Sequence, residues 1–360
     1  MIYLDYQATT PLAPEARDAM LRWLDGPGGT GFGNPHSPHR MGRMAAAAVE
    51  LARDQVAALL PPGGRVHFTS GATEAINLAL RGFTEPGERP AIAVSAIEHA
   101  AVLDTAKAVG HAEEWPVGEG GLLDPDHWLG TRPKLIAAMQ INNEIGVVQP
   151  VVELHRRAKA MNALLLVDAV QAAGKVEVAA ADFIALSAHK LHGPKGIGAL
   201  WVRNGVELHT TSTGGGQEGL RSGTLSPALC AGFGAAAKLA GERMAADAAH
   251  IGGLFTRARE LFGDWEWNGS VEARWPGNVN IRRDGLDVAR LMSDCRPVMF
   301  SAGSACASGS GRTSHVLRAI GLSDAEAKSS IRLGFGRYTT VAELEEAAGL
   351  INAAAEAQGL

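Results

Sequence analysis

The sequence predicts an α/β protein with a mostly parallel central sheet and a smaller C-terminal α/β domain. Short apolar segments typical of buried strands alternate with longer segments of helical periodicity along most of the chain. A chain of 360 residues is too long for one small core, which favours a large domain with a smaller companion. The 44 glycines fit many tight turns between strands and helices. We expect an N-terminal arm at 1–13 that associates with the small domain, a large domain at 14–250 and a small domain at 251–360.

Charge and composition argue against several classes of function. The net charge is −5 with acidic and basic residues interspersed, so a nucleic-acid groove is not expected. The N-terminus lacks a basic region followed by an apolar one, and no apolar stretch is long enough to cross a bilayer, which predicts a cytoplasmic protein. The three cysteines, Cys230, Cys295 and Cys306, have neither paired nor metal-type spacing, so neither a disulfide framework nor a zinc cluster is predicted.

The first 60 residues predict an arm followed by two helices. The polar segment 5–10 precedes a helical pattern over 15–24 that ends at a run of glycine and proline. The turn-rich segment 31–37 contains Asn34, which either faces a ligand or caps a turn, and the residue alone favours the cap. A long Ala-rich helix is predicted over 40–60.

A small-residue turn at 70–74 connects the next predicted strand, 66–69, to a helix. Such a turn presents free backbone N–H groups and the positive end of the helix dipole, and Thr73 adds a hydroxyl, so the turn is suited to bind a phosphate. The alternative is an ordinary helix N-cap with Glu74 in the first turn, which is favoured without further support.

Two further predicted strands lead to candidate ligand-binding residues. The strand 91–96 precedes His99, and the strand 134–139 precedes Asn143. Ligands of open α/β sheets bind at the carboxyl ends of the strands. His99 is therefore either a structural histidine or an imidazole that stacks on a flat aromatic cofactor, and Asn143 is a candidate hydrogen-bond donor.

An acid and a lysine follow the next two strands. The segment 163–167 is apolar throughout, as expected for a strand covered on both faces, and ends at Asp168. A buried carboxylate is costly unless it is paired, so Asp168 either pairs with a protonated ring nitrogen or caps a helix. The strand 183–186 then leads to Lys190. A lysine at this place can form a Schiff base with a carbonyl cofactor if its amine stays partly neutral, and the alternative is a solvated loop lysine.

The segment after the central strands lacks a nucleotide-binding motif. The Gly-rich stretch 210–223 has no Gly-Lys-Ser/Thr ending, so an NTPase is not predicted. A long apolar helix follows from Ser226, and Cys230 within it is predicted to be a core thiol. A strand, a helix and a strand over 278–301 begin the smaller unit, with Cys295 near a helix end.

Two candidate residues lie in the C-terminal part of the chain. Cys306 is in a loop, 301–312, made almost entirely of Gly, Ala and Ser. A thiol on such a mobile loop either carries a group between two places or is incidental, and the loop alone does not decide between them. The short strand 331–335 contains Arg332, whose planar guanidinium is suited to a bidentate pair with a substrate carboxylate. A final helix is predicted over 340–357.

Together these groups meet the requirements of a site for pyridoxal phosphate acting on an amino acid: a phosphate cradle, a ring partner, an acid, a Schiff-base lysine and a carboxylate clamp. The sequence resembles cysteine desulfurases of the NifS/IscS type, which are fold-type I, class-V aminotransferase-like enzymes. The likeness covers essentially the whole chain, and its most specific segments are 69–74, 142–146, 189–196, 221–224 and 303–306.

The resemblance implies a fold-type I transferase that uses pyridoxal 5′-phosphate to convert L-cysteine to L-alanine as a homodimer. Lys190 would form the Schiff base and shuttle protons, and Cys306 would take the sulfur as a persulfide for an acceptor protein such as an iron–sulfur scaffold. The remaining implied contacts are Asp168 with the pyridinium nitrogen, His99 with the ring face, Gln171 with the ring hydroxyl, Thr73, Ser187 and His189 with the phosphate, Thr224 with the phosphate of the partner subunit, and Asn143, Arg332 and Asn34 with the substrate carboxylate.

Two departures from the family leave the acceptor open between iron–sulfur cluster assembly and the thiolation of tRNA or a cofactor. Gln217 stands where relatives often have histidine, and the chain ends at Leu360 without an extension that helps some relatives dock a scaffold. A selenocysteine lyase or another amino-acid lyase or aminotransferase on this fold, with Cys306 incidental, is the close alternative. A non-catalytic cofactor-binding scaffold is the alternative from another class, and a nicotinamide oxidoreductase is disfavoured because no Gly-x-Gly-x-x-Gly follows the first strand.

Overall fold

The computed structural model describes residues 1–127, 130–210, 212–303 and 313–360. In chain order its strands are β1 (Ile2–Tyr3), β2 (Gly64–Thr69), β3 (Ala91–Ser95), β4 (His111–Trp115), β5 (Leu135–Met139), β6 (Leu164–Asp168), β7 (Phe183–Ser187), β8 (Gly198–Arg203), β9 (Glu266–Trp267), β10 (Asn278–Arg282), β11 (Val298–Met299), β12 (Ser301–Ala302) and β13 (Ser330–Gly334). Its helices are α1 (Pro14–Leu21), α2 (Arg40–Ala57), α3 (Ala72–Gly82), α4 (Ala100–Val109), α5 (Val151–Ala160), α6 (Pro227–Leu261), α7 (Val288–Asp294), α8 (His315–Ala319), α9 (Asp324–Lys328) and α10 (Val341–Glu356). None of these helices combines the length and the apolar sequence needed to cross a membrane.

A seven-stranded sheet in the order β2-β8-β7-β6-β5-β3-β4 forms the centre of the larger part of the chain. Neighbouring strands are parallel except around β8, which pairs antiparallel with both β2 and β7. Because β8 alone is reversed, β2 runs in the same direction as β7, and the other six strands all end at one edge. The predicted α/β fold with a mostly parallel sheet is confirmed.

Helices cover both faces of this sheet. Along β5, Leu135 and Ala137 pack in a cluster with α3 and α4, whereas Ile136 and Ala138 belong to the cluster that contains α2 and α6. Successive side chains of a strand point to opposite faces, so a strand covered on both sides is apolar at every position. This arrangement explains why β5 and β7 are buried over their whole length.

A second, antiparallel sheet in the order β12-β13-β10-β9 lies in the C-terminal part of the chain. The N-terminal strand β1 pairs in parallel with β11, with Ile2 opposite Val298. The backbone of Asp5 then forms a bridge with Gly334 at the end of β13. The first residues of the chain are therefore held against its C-terminal strands.

One strand of the large sheet and one helix beside it are missing from the sequence-based prediction. Strand β4 is an edge strand with the sequence His-Ala-Glu-Glu-Trp, and all of its side chains except the buried Trp115 are at least partly exposed. Helix α5 is short and contains five charged or histidine side chains. Both elements lack the apolar runs that reveal central strands, because each has a face toward water.

Candidate active site

A cavity of about 560 Å³ opens at the carboxyl edge of the seven-stranded sheet. Strands β2, β3, β5, β6 and β7 all end beside it. Most of the predicted site residues line this cavity: Thr73, His99, Asn143, Asp168, Gln171, Ser187, His189, Lys190 and Arg332.

Two predicted residues that the structure describes, Asn34 and Thr224, do not line the cavity. Asn34 Oδ1 accepts a hydrogen bond from the backbone N–H of His36 at 2.9 Å, which is the turn-capping arrangement. Thr224 lies at the end of the Gly-rich loop, and its predicted contact is with a partner subunit. Cys306 lies outside the described residues.

The turn between β2 and α3 brings a helix N-terminus to the cavity. Glu74 Oε2 accepts from the backbone N–H of Ser70 at 2.5 Å, and Arg221 Nε donates to Glu74 Oε1 at 2.9 Å. Burial alone raises the pKa of Glu74, but these bonds outweigh it and lower the pKa overall. The anionic Glu74 therefore shapes the turn. The first N–H groups of α3 with Thr73, Ser187 and His189 make up one corner of the cavity, which is suited to an anion and is called the anion-binding corner.

Gly198, the first residue of β8, permits a close approach to this turn. A Cβ atom at Gly198 would lie 2.7 Å from Gly71 Cα and 2.4 Å from the backbone oxygen of Leu186. Both neighbours are backbone atoms of elements that line the cavity, so neither can move away cheaply. Glycine is required here because β8 passes directly beneath the anion-binding corner.

Asp168 and Glu98 are two buried carboxyl groups on one side of the cavity. Asp168 Oδ1 accepts from the backbone N–H of Val170 at 2.9 Å. Burial raises the pKa of Asp168 above its usual value, and the hydrogen bond from Val170 and the interactions with His99 and Lys190 offset only part of this rise. Glu98 is fully buried, and burial together with the charge of Asp168 raises its pKa well above the ordinary range. We infer that Glu98 is the neutral acid of the pair and that Asp168 carries its charge.

Lys190 ends a single 3-10 turn, Ala188–Lys190, that follows β7. Its Nζ donates to the backbone oxygen of Ala8 at 2.8 Å and also to that of Gln7. The N-terminal arm thus contacts the amine directly. Burial, followed by the charges of Lys190 and Lys195, lowers the pKa of His189 to about 4, so this imidazole is neutral at physiological pH.

Arg332 on β13 reaches the cavity from the C-terminal sheet. Its Nη1 donates to the backbone oxygen of Asn143 at 3.0 Å, and its Nη2 donates to Asp5 Oδ1 at 2.8 Å. Its Nε has no hydrogen-bond partner among the described residues. Both terminal nitrogens of the guanidinium are thus hydrogen-bonded within the protein, and the residue also lines the cavity.

Comparisons with known proteins agree with this geometry. A family model described as aminotransferase class-V matches residues 2–346. The chain belongs to the class-V aminotransferase family. Among curated relatives, the cysteine desulfurase IscS of Aeromonas salmonicida is 42% identical to this chain over 97% of the chain and 91% of the relative. A mitochondrial cysteine desulfurase of Arthroderma benhamiae is 40% identical over 96% of the chain and 72% of the relative.

Solved structures of class-V aminotransferase relatives share the whole fold. A NifS-like protein superimposes with a TM-score of 0.89 at 29% identity and covers 99% of both chains. A structure described as SspA in complex with cysteine gives a TM-score of 0.81 at 31% identity and covers 94% of this chain and 100% of that one. The predicted resemblance to NifS/IscS-type enzymes is confirmed.

Several residues at or next to the cavity are absent from the sequence-based prediction. Gln7 and Ala8 contact Lys190 through backbone oxygens, and Asp5 pairs with Arg332 through its carboxylate. Every residue has a backbone oxygen, so residue identity does not show which of these oxygens accepts a hydrogen bond. The polar composition of 5–10 was the one available signal, and it is equally typical of a solvent-exposed arm.

Proposed function

We propose that this protein is a pyridoxal 5′-phosphate-dependent cysteine desulfurase. It converts L-cysteine to L-alanine and passes the sulfur to an acceptor protein. The observation that carries the proposal is the meeting of Lys190, the buried Asp168 and the N-terminus of α3 at one cavity. Curated relatives that align over nearly the whole chain are named cysteine desulfurases, which supports the same activity.

The residues around the cavity fit pyridoxal 5′-phosphate. Its volume lies in the usual range for small-molecule sites. Asp168 would pair with the protonated ring nitrogen, and an acid buried without such a cation would be costly. The amine of Lys190 would bond to the carbonyl carbon. The remaining contacts are His99 with the ring face, Gln171 with the ring hydroxyl, and Thr73, Ser187 and His189 with the phosphate.

The bound cofactor supplies an electron sink for the bonds of the substrate α-carbon, and the chain supplies orientation and proton transfer. Arg332 and Asn143 orient the substrate carboxylate. Lys190 holds or releases a proton at Nζ, next to the backbone oxygens of the arm. The neutral imidazole of His189 leaves the anion-binding corner without a further titrating charge at physiological pH.

Cys306 is the proposed sulfur acceptor within the protein. In the net reaction the Cys306 thiol and cysteine give a Cys306 persulfide and alanine, so atoms balance and no external oxidant is required. The thiolate is the nucleophilic form of Cys306. The persulfide sulfur then moves to a thiol of the acceptor protein.

A homodimer in the cytoplasm is the proposed setting. Thr224 does not line the cavity of its own chain, which fits a residue that contacts the phosphate in a partner subunit. The acceptor is proposed to be a protein such as an iron–sulfur scaffold. Sedimentation of the wild type would test whether the subunits associate, and cofactor binding by Thr224→Ala would test whether Thr224 contributes to the site.

The deciding experiment measures alanine release and persulfide transfer from cysteine. We expect Lys190→Ala to release no alanine, and Cys306→Ala to transfer no persulfide although it still binds the cofactor. Full persulfide transfer by Cys306→Ala would show that Cys306 is not the nucleophile. If the protein turned over selenocysteine but not cysteine, it would be a selenocysteine lyase and the proposed activity would be wrong.

A further inference from the structure

The anion-binding corner has a carboxylate beside it, because Glu74 lies in the first turn of α3 and lines the cavity. Burial raises the pKa of Glu74, but the hydrogen bonds from Ser70 and Arg221 lower it overall, so this side chain is charged at physiological pH. A negative charge at this place repels the phosphate group that the corner is proposed to bind. Phosphate binding therefore depends on a cation that balances Glu74.

Arg221 supplies that cation from the Gly-rich loop. Its Nε lies 2.9 Å from Glu74 Oε1, and this is the only ion pair of Glu74 among the described residues. The two side chains are 21% and 26% exposed, so water screens their interaction only in part. Arg221 does not line the cavity, whereas Glu74 does. The guanidinium thus acts on the cavity through Glu74.

Glu218 fixes the position of Arg221. The buried Glu218 carboxylate accepts two hydrogen bonds from Arg53, each at 2.8 Å, and a third from the backbone N–H of Phe68 at 3.1 Å. The backbone N–H of Glu218 donates to the backbone oxygen of Arg221 at 3.0 Å. The turn that carries Arg221 is therefore held against β2, the strand that leads into the anion-binding corner.

Other charged groups around the cavity do not replace Arg221 as the partner of Glu74. Lys190 and Lys195 line the cavity, and Asp168 lies at the end of β6. His189 is neutral at physiological pH, because burial, followed by the charges of the two lysines, lowers its pKa to about 4. These groups are unchanged when Arg221 or Glu74 is substituted, so their contribution to ligand binding cancels in a comparison of variants.

We propose that Arg221 is a positioning residue of the phosphate site, which balances the charge of Glu74 and holds this carboxylate away from the space that the phosphate occupies. Without Arg221, the free carboxylate would repel the phosphate and compete with it for the N–H groups of α3. This inference rests on the proposed function, because pyridoxal 5′-phosphate is the ligand that brings the phosphate group.

The test compares pyridoxal 5′-phosphate with pyridoxal, which lacks the phosphate group. Equilibrium dialysis against the full chain freed of cofactor gives a dissociation constant for each ligand. The ratio of the two constants isolates the contribution of the phosphate, since the bond to Lys190 is common to both ligands.

Three variants separate charge balance from a structural role of Arg221. Arg221→Met removes the charge and the hydrogen bond, and Arg221→Gln removes the charge and keeps a donor. The double variant Arg221→Gln/Glu74→Gln removes both charges and keeps an acceptor for Ser70. Arg81→Met is the matched control, because Arg81 is an exposed arginine in the last turn of α3 that bonds to Asn77 and pairs with no carboxylate among the described residues.

We expect the preference for the phosphorylated ligand to fall about tenfold in Arg221→Met and in Arg221→Gln. It should recover toward the wild-type value in the double variant, because the neutral Glu74→Gln side chain no longer repels the phosphate. Arg81→Met should keep the wild-type preference. Arg221→Gln and its double variant decide the case even if Arg221→Met fails to fold.

Two results would overturn the inference: a wild-type preference in Arg221→Gln, or no recovery in the double variant, which is the outcome that a purely structural role of Arg221 predicts. A wild type that binds the phosphorylated ligand no better than pyridoxal would contradict the proposed cofactor and this inference together. A wild type that shows the preference but releases no alanine from cysteine would contradict the desulfurase activity alone and leave the role of Arg221 intact.

Discussion

Arg332 Nη2 donates a hydrogen bond to Asp5 Oδ1 at 2.8 Å, so the arginine predicted to bind a substrate carboxylate is already paired with a carboxylate of the N-terminal arm. Ser301 Oγ donates to the same oxygen at 2.9 Å. The Arg332 side chain is only 1% exposed, and its charge would be costly without a partner. Asp5 thus balances the guanidinium and fixes its orientation before any substrate binds.

The first prediction concerns the cost of removing this partner. Asp5→Asn leaves the buried guanidinium without its counter-charge, and we expect the free energy of unfolding to fall by about 3 kcal/mol. Urea unfolding at pH 7 measures this change in the free energy of unfolding. Asp18→Asn is the matched control, because Asp18 pairs with Arg17 on the exposed surface of α1 and its loss should cost under about 1 kcal/mol. Equal losses in the two variants would show that the Asp5 pair contributes no more than a surface pair.

The second prediction concerns substrate binding by Arg332. Arg332→Lys keeps the charge and loses the planar fork that reaches Asp5, Asn143 and the cavity together. We expect KM for cysteine to rise at least about tenfold with a smaller change in kcat. Steady-state alanine release measures both constants. Arg282→Lys on the adjacent strand β10 is the control and should leave KM unchanged; a normal KM in Arg332→Lys would remove Arg332 from the substrate site.

The third prediction follows from the neutral state of Glu98. Glu98 Oε1 accepts from the backbone N–H of Met139 at 2.6 Å, and an amide oxygen can make the same bond. The pKa of Glu98 is higher in the folded state than in the unfolded chain. The protonated carboxyl group therefore stabilises the fold fully below the unfolded-state pKa, and this stabilisation is lost as the pH rises through the folded-state pKa. Relative to wild type, Glu98→Gln should therefore gain at least about 1 kcal/mol of unfolding free energy between pH 5 and pH 8.

Urea unfolding at the two pH values measures this difference. Asp168→Asn is the contrasting variant, because Asp168 is inferred to carry the charge of the pair and to face the cofactor ring. It should fold and release alanine at a severely reduced rate. A constant difference between Glu98→Gln and wild type across this pH range would contradict a neutral Glu98.

The fourth prediction concerns stability in acid. His192 lies between the rings of Tyr6 and Tyr338, with ring centroids 6.0 Å and 5.1 Å away, and burial lowers its pKa to about 4. A histidine with a lowered folded-state pKa contributes stability that is complete above its unfolded pKa near 6.5 and is lost as the pH falls toward 4. Between pH 7 and pH 5 this loss should be about 1–2 kcal/mol.

His192→Asn tests the assignment. The backbone of His192 has φ 68°, a conformation that asparagine tolerates better than most residues. The variant lacks the titrating group, so its unfolding free energy should decline less steeply than that of wild type over this range. His189, whose pKa is also lowered, is present in both proteins and cancels in the comparison. Parallel curves would show that His192 is not the titrating group.

The sequence determined the sheet and the residues at its edge. The apolar strands β2, β3, β5, β6 and β7 can be recognised in the sequence because they are buried in the sheet. The carboxyl ends of parallel strands meet at one edge of the sheet. Residues that follow those strands, such as Thr73, His99, Asp168 and Lys190, could therefore be placed together from the order of the chain alone. Their roles needed the family resemblance, since each residue taken singly also fits a cap or a solvated loop.

Only the tertiary structure decided what surrounds these residues. Asp5 and Arg332 are 327 positions apart, and Lys190 meets the arm through backbone oxygens that any residue would supply. Local patterns record periodicity and burial, whereas the pairing of distant charges is set by how the arm and the C-terminal sheet pack onto the large sheet.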